Sequence, residues 1–372
     1  MNICHISFVP VSYIGVKKKI DAQVRAFEEQ GNKVSYYRYE KDGFYCNDLR
    51  ISKLCTPNRY IRKIYELLIF FRILRLTEHN HDFAYVRYMR ISPWFYFFLI
   101  VLKRKVKKLV VEIPSYPYDK EYFRADLIGF SDRFFRVKLK GIVDLFVYYG
   151  KHVHKIFDID CLKIENGICK KENPLINRED KCFNKTSLHL IAVANFAHWH
   201  GYDRLLYSLS KEKDNGHQEK WRLHLVGSGN EINKLKNLTC KLGLDNIVTF
   251  HGPKWGEELD NLYNSMHIAI CSLGLHRIGQ DRLSPLKPAE YVARGLPIVL
   301  ANHDERFKDE DFVFRCPNDE SLIELKSIYD WYWNMTISKE SIRDYAIRNL
   351  TWDKQIVRII NKINTLNKTY DD

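Results

Sequence analysis

The sequence predicts an α/β protein built from two doubly wound, mainly parallel sheets, and three observations carry that reading. The 372 residues exceed what one ordinary core organises and suit two domains of roughly 150 to 200 residues. Both halves alternate apolar strands with amphipathic helices, the pattern of parallel sheets covered on both faces. Between the halves, residues 169–187 are polar, charged and proline-containing, which reads as a hinge.

In the first half, Met1 to Val9 reads as a short apolar strand and Ile14-Gly15-Val16 as a glycine turn. A helix over roughly 17–30 follows, with Ile20, Val24 and Phe27 at 3–4 spacing and a stop at Gly31. Val34 to Arg38 is the next strand, and this opening is that of a doubly wound sheet. Residues 60–75 form a helix, 82–87 a strand, 92–106 a helix and Lys108 to Ile113 a strand. The strand pattern returns in IVDLFVYYG from Ile142, and residues 162–168 close the half. The second half reads as strands at 188–194, 222–227, 247–250, 267–272 and 296–300. Helices at 202–211, 231–242, 257–264 and 285–294 separate them; a short strand near Phe312 and helices from Ser321 finish the unit. A last amphipathic helix carries Ile356, Ile359, Ile360 and Ile363 on one side.

Composition narrows the class. Hydrophobic residues make up 45% of the chain, as in a folded globular protein. Nine cysteines without paired spacing argue against a disulfide framework or zinc site, and for a reducing compartment. The N-terminus lacks a signal-peptide pattern, and the longest apolar run, Trp94 to Leu102, falls far short of a bilayer span, so a cytoplasmic protein is expected. Fifty-nine basic residues against forty-six acidic leave +13, concentrated in the first half. There Arg59, Arg62 and Lys63 precede the run LLIFF, and KRKVKK follows the aromatic run. Cations beside apolar residues suit an anionic membrane surface, hence a peripheral position on the inner face of the plasma membrane; two core helices with solvated ends are the alternative.

The most informative stretch runs from Asp281 to Leu300, DRLSPLKPAEYVARGLPIVL. It reads as a polar loop, a short helix and a buried strand, with Ser284 as cap, Pro285 and Pro288 suited to a helix start and Gly295 to the left-handed residue after its end. A helix opening from a loop presents unpaired N–H groups and the positive end of its dipole, which favour a phosphate. Leu286 and Lys287 can supply those amides. Lys287 adds a point charge, and Glu290 lies on the same side of the helix. The pattern suits a nucleotide sugar, the Lys meeting diphosphate and the Glu meeting ribose hydroxyls.

SPLKPAEYVARGLPIV resembles the donor-site segment of the family 4 glycosyltransferases, retaining enzymes of GT-B fold, here of the bacterial surface-polysaccharide type. Three further segments agree in order and distance: VANFAHWHGYDRLLYSL (193–209), LHLVGSGNE (223–231) and LGLDNIVTFHGPKWGEELDNLYNSMHIAICSL (242–273). The resemblance is dense over residues 188–300 and thinner before. It implies two Rossmann-like domains facing each other across a cleft: an acceptor-side domain over 1–168, completed by a C-terminal helix from about 350, and a nucleotide-sugar domain over 188–349. It further implies transfer of a sugar from a UDP- or GDP-sugar to a hydroxyl of a glycan or lipid-linked glycan, with no cofactor and no metal.

The resemblance assigns donor contacts to Gly15, Asn195, His200, Gly227, Gly229, His251, Gly252, Ser284, Leu286, Lys287 and Glu290. Lys287 would stabilise the leaving diphosphate. The family's Glu eight residues before the ribose Glu is replaced by Arg282, with Asp281 beside it, so sugar recognition through that Glu does not carry over. The family's Arg and Lys around the first donor-domain loop are Asn195 and His200 here; His200 could donate to phosphate, more strongly if protonated. Glu112 stands where relatives often carry an acceptor-side His and could orient or deprotonate the acceptor hydroxyl. Three other readings remain open: a GT-B-fold sugar-nucleotide epimerase, a catalytically idle relative, and a non-catalytic basic nucleic-acid binder. Against the last, basic and acidic residues interleave in the second half and no nucleic-acid-binding motif is present.

Overall fold

The computed structural model describes residues 1–53, 59–77, 81–118, 127–177, 187–280 and 283–368. The chain is mixed α/β and divides into two compact units, one of Met1–Gly167 with Trp352–Asp372, the other of Ile168–Thr351.

The first unit holds a nine-stranded sheet in the order β4-β3-β2-β1-β5-β6-β7-β9-β8. Its middle is parallel: β2 (Lys33–Glu40), β1 (Asn2–Ile6), β5 (His81–Arg87), β6 (Val106–Tyr116), β7 (Leu145–Gly150) and β9 (Ile159–Lys163). Antiparallel additions blunt both edges. β3 (Gly43–Cys46) and β4 (Leu49–Lys53) extend one side, and β8 (Lys155–Ile156) the other. Sequence reading missed these strands because they are short and carry no sustained alternation. Their turns are local: Asn47 adopts φ +50, and its Oδ1 accepts from the Tyr36 N–H at 2.8 Å.

Helices α2 (Arg59–Leu76) and α3 (Pro93–Lys103) bury Ile69, Phe70, Ile73, Phe95, Phe98 and Leu99 in one cluster with the sheet. Ser92 caps α3 by accepting from the Phe95 N–H. Helix α4 (Leu127–Arg136), which the sequence reading did not anticipate, packs beside α3. On this unit also lies the final helix α11 (Trp352–Lys368), against α1 (Ile14–Glu29).

The second unit is a six-stranded, wholly parallel sheet in the order β12-β11-β10-β13-β14-β15. The strands are β10 (Leu188–Asn195), β11 (Trp221–Ser228), β12 (Val248–Gly252), β13 (Ile268–Ile270), β14 (Ile298–Leu300) and β15 (Val313–Arg315). One face buries Leu190, Leu205, Trp221 and Leu223; the other buries Ile191, Tyr263, Tyr291 and Ile298. Such two-sided burial explains the continuous apolar runs. Helices α5 (Tyr202–Asp214), α6 (Ile232–Lys241), α7 (Gly256–Tyr263) and α8 (Leu286–Ala293) make the crossovers, and α9 (Leu325–Asn334) and α10 (Lys339–Asn349) follow. The order reverses at β10, whose neighbours β11 and β13 lead to opposite edges, the place where ligands bind in open parallel sheets.

Candidate functional site

Because all six strands of the second unit run the same way, the loops after them gather at one edge. Asn195 and His200 follow β10, Gly227 and Gly229 close β11, His251 and Gly252 end β12, and Ser284 to Glu290 open α8 after β13. The predicted donor residues of this half are therefore brought to a single rim.

Two loops of the rim are locked by backbone proximity. Gly227 has φ +135, and an added Cβ would sit 1.9 Å from the Ala194 carbonyl oxygen; Gly229 has φ +142, and its Cβ would lie 2.3 Å from the Phe196 backbone. Both glycines are thus demanded by the close pass of the β10 loop, and the Phe196 N–H donates to the Ser228 carbonyl at 2.6 Å. After β13, Arg277 reaches back to the β10 loop. It forms two hydrogen bonds with Asp203, at 2.9 and 2.8 Å, and donates to the His198 carbonyl at 2.8 Å.

His200 lies in the turn over residues 198–200. Its Nδ1 accepts from the Ala197 N–H at 3.0 Å, and its ring stacks on Tyr202. Burial lowers its pKa and favours the neutral ring; in the tautomer in which Nδ1 accepts from Ala197, Nε2 carries the proton. With Nδ1 accepting from Ala197, the Nε2–H of the neutral ring is left to donate. Asn195 is exposed at the strand end.

α8 starts differently from the expectation. Its N-cap is Pro285 and no side chain caps it. Ser284 instead donates to Asp304 at 3.3 Å. The turn is held from the loop after β14: Asn302 Nδ2 donates to the Leu283 carbonyl at 2.8 Å, and Arg306 Nη2 to the Pro285 carbonyl at 2.6 Å. Arg306 is itself paired with Asp304, which is fully buried, at 2.7 Å. From the helix side, the Tyr291 hydroxyl accepts from the Val193 N–H at 2.9 Å and so ties α8 to β10. Asn302, Asp304, Arg306, Arg277 and Tyr291 were missed by sequence reading, since single polar residues far apart in the chain give no signal until the fold joins them.

With that turn held, the amides of Leu286 and Lys287 head the helix. Lys287 is 40% exposed and bonds Glu290 at 2.7 Å, one turn on. Arg294 meets Asp260 at 2.9 Å. The Lys287–Glu290 pair is a partly exposed i,i+3 contact of about 0.3–0.5 kcal/mol, weak enough to exchange for a stronger anion. Arg277 and Arg306, by contrast, are committed to carboxylates. Gly295 closes the helix in the left-handed region at φ +82. Asp281 and Arg282 lie outside the described residues.

His251 is turned inward along the sheet. Its Nε2 lies 2.9 Å from His224 Nδ1, and His224 Nε2 lies 3.2 Å from His189 Nδ1, so three imidazoles chain across β12, β11 and β10. Each N–H···N bond needs an unprotonated acceptor nitrogen, so the three rings cannot all be charged. Burial first, then its two histidine neighbours and Arg222, push His224 down to about 4. Gly252 follows with φ +66 and open space around it.

In the first unit, Gly15 is the second residue of α1 rather than part of a loop, and nothing lies within 4 Å of a Cβ added there. Lys17 pairs with Asp21 at 3.1 Å and Glu40 at 3.3 Å. Glu112 is 1% exposed. It accepts from Gln23 and Tyr85, each at 2.7 Å, and from Arg87, with Lys19 at 3.9 Å. Burial raises its pKa, but Lys19, Arg87 and these hydrogen bonds outweigh that and hold it near 2. A carboxylate so placed is the anchor of a buried charge network and a poor proton acceptor, which corrects the base role expected for it.

Arg306→Met leaves the Asp304 carboxylate buried without its guanidinium, so the unit should lose about 3–5 kcal/mol in urea unfolding. Acid should weaken the second unit through the histidine chain. Unfolded histidine titrates near 6.5 and folded His224 near 4, so the unfolded state binds more protons in between and stability falls as pH drops from 6.5. Buried His5 in the first unit, also near 4, acts with the same sign there. Melts between pH 7 and 4.5, above the ordinary carboxylate range, should show the decline, and His224→Leu should flatten it in the second unit.

Residues 175–325 match the profile of Glycosyl transferases group 1. No curated protein matches the sequence. Among solved structures, a glycosyltransferase from Rickettsia africae aligns at TM-score 0.65 and 17% identity, over 97% of this chain and 98% of its own. HepE from Anabaena, determined with UDP, aligns at TM-score 0.60 and 13% identity over 97% and 99%. WaaG, a glycosyltransferase involved in lipopolysaccharide biosynthesis, aligns at 0.59 and 13% over 97% and 99%. At such identities the likeness is one of fold. Residues 175–325 thus resemble a group 1 glycosyltransferase domain, in a chain whose two α/β units match the GT-B fold.

Proposed function

We propose that this chain is a retaining glycosyltransferase of family 4 type, moving a sugar from a nucleoside-diphosphate donor to a hydroxyl of a glycan or lipid-linked glycan in surface polysaccharide biosynthesis. The observation that carries the reading is the start of α8: two backbone amides and Lys287 at the rim where the parallel strands end, with Glu290 one turn on. A helix start with an adjacent cation suits a diphosphate. The bond from anomeric carbon to diphosphate oxygen breaks in the reaction, so the negative charge grows where these donors point. Lys287 exchanges Glu290 for the diphosphate, and the Glu290 carboxylate accepts from ribose hydroxyls. Neutral His200 adds a donor from the β10 loop. HepE with bound UDP supports a uridine nucleotide, and WaaG's part in lipopolysaccharide biosynthesis supports a surface-glycan product.

A melt-shift series with UDP, GDP and dTDP, alone and as sugar conjugates, tests the donor. UDP should raise the melting temperature and Lys287→Ala should abolish most of the shift. The same variant should lose at least tenfold in turnover, about 1.4 kcal/mol, with its circular dichroism unchanged. If no nucleotide shifts the melt, or Lys287→Ala turns over like the parent, the proposal is wrong.

A further inference from the structure

The three helices α2, α3 and α4 on one face of the first sheet share an unusual outward surface. On α3, Trp94, Phe97 and Val101 recur at 3–4 spacing, and the first two are 58% and 56% exposed. On α2, Phe71 is 67% exposed. On α4 and the turn after it, Phe130, Phe134 and Val137 form a stripe that is 60%, 56% and 59% exposed. α4 is inverted relative to an ordinary surface helix, which turns its apolar stripe inward. Its inward anchor is Asp132, whose carboxylate accepts from the Tyr88 hydroxyl at 2.7 Å, the Ile91 N–H at 2.8 Å and the Tyr118 hydroxyl at 3.1 Å. Asp132 faces the protein, whereas Phe130 and Phe134 face out and Phe135 alone of the helix's aromatic residues packs inward.

Among the described residues, the exposed charges carried by these helices and the turn after α4 are basic. Arg75, Arg104, Arg133 and Lys138 are exposed along it, with Lys138 Nζ 3.7 Å from the centre of the Phe134 ring and Arg133 5.5 Å from that of Phe130. Among the described residues the three helices carry two acids: Asp132, buried, and Glu66, partly buried. None of the helices is long and apolar enough to cross a membrane, among the described residues. Aromatic rings flanked by cations, with no exposed acid among the described residues of the three helices, match the boundary of an anionic bilayer, where rings sit at headgroup depth and cations meet lipid phosphates. A second copy of the chain fits poorly, because a two-fold interface would set this cationic patch against itself.

We propose that the outward face of α2, α3 and α4 is a docking surface for an anionic lipid membrane. This goes beyond the transfer reaction and stands without it, since the test contains no sugar nucleotide. The full chain is sedimented with vesicles of phosphatidylglycerol and phosphatidylcholine in equal parts, and with phosphatidylcholine alone. Binding should be tenfold or more tighter to the anionic vesicles, and should fall away near 1 M salt, where screening shortens to about 3 Å. Phe130→Ser with Phe134→Ser, and separately Arg133→Glu with Lys138→Glu, should each cut binding about tenfold or more. The melting temperature should stay as in the parent, while Trp255→Ser on the second unit should bind vesicles as the parent does. Equal binding to neutral vesicles, no binding, or unchanged binding by both double variants overturns the proposal. So does a concentration-dependent dimer that the aromatic variant dissolves without any vesicle binding.

Discussion

The six strands of the second unit all run in one direction, and the position of every candidate donor residue in that unit follows from this. A parallel strand must be left by a crossover, so each loop after a strand returns to the same rim. The order reverses at β10, the place where loops diverge in an open parallel sheet. Residues separated by almost a hundred positions, from Asn195 to Glu290, become neighbours of one rim without any contact that sequence distance would suggest.

Holding that rim in shape requires charge, and the charge is divided by burial. Arg306 with Asp304 and Arg277 with Asp203 are structural: each guanidinium meets a carboxylate at two points and also takes backbone carbonyls from a neighbouring loop. Fork-shaped pairing of this kind fixes orientation as well as distance. Lys287 is the opposite case, a flexible ammonium on a partly exposed turn with a single weak pair to Glu290. The rigid arginines set the frame, and the mobile lysine remains able to change partner. The three-histidine chain behind His251 belongs to the frame too, because neutral hydrogen-bonded rings link adjacent strands.

The first unit handles charge and apolar surface by other means. Glu112 gathers Lys19, Arg87, Gln23 and Tyr85 into one buried network near the ends of β1, β5 and β6. Outside, α3 and α4 leave aromatic residues in water and surround them with cations. A folded chain keeps such a surface only where something covers it or where packing forces it, and Asp132 shows the forcing: its three hydrogen bonds decide which side of α4 turns inward.

Much of this was readable from residue order. The alternation of apolar runs and 3–4 spacings located nearly every crossover strand and helix, since two-sided burial leaves an unmistakable hydrophobic pattern. Gly295 was read as a left-handed residue and is one, because few other residues take that conformation at a helix end. Local chemistry also marked Lys287 and Glu290 as a helix-start pair. Three things depended on contacts across the fold. Ser284 passed over the helix cap for Asp304, a partner twenty residues away. Glu112, legible as a carboxylate after a strand, became a buried anchor once Lys19 and Arg87 closed on it. The outward turn of α4 reversed the usual inference from amphipathicity, since periodicity reports that a helix has two faces and says nothing of which one the protein keeps. Sequence alone determined where strands and helices lie, because hydrophobic spacing is a property of neighbours in the chain; tertiary structure alone decided which charges are buried, paired or left to act, because that depends on partners the chain brings together only when folded.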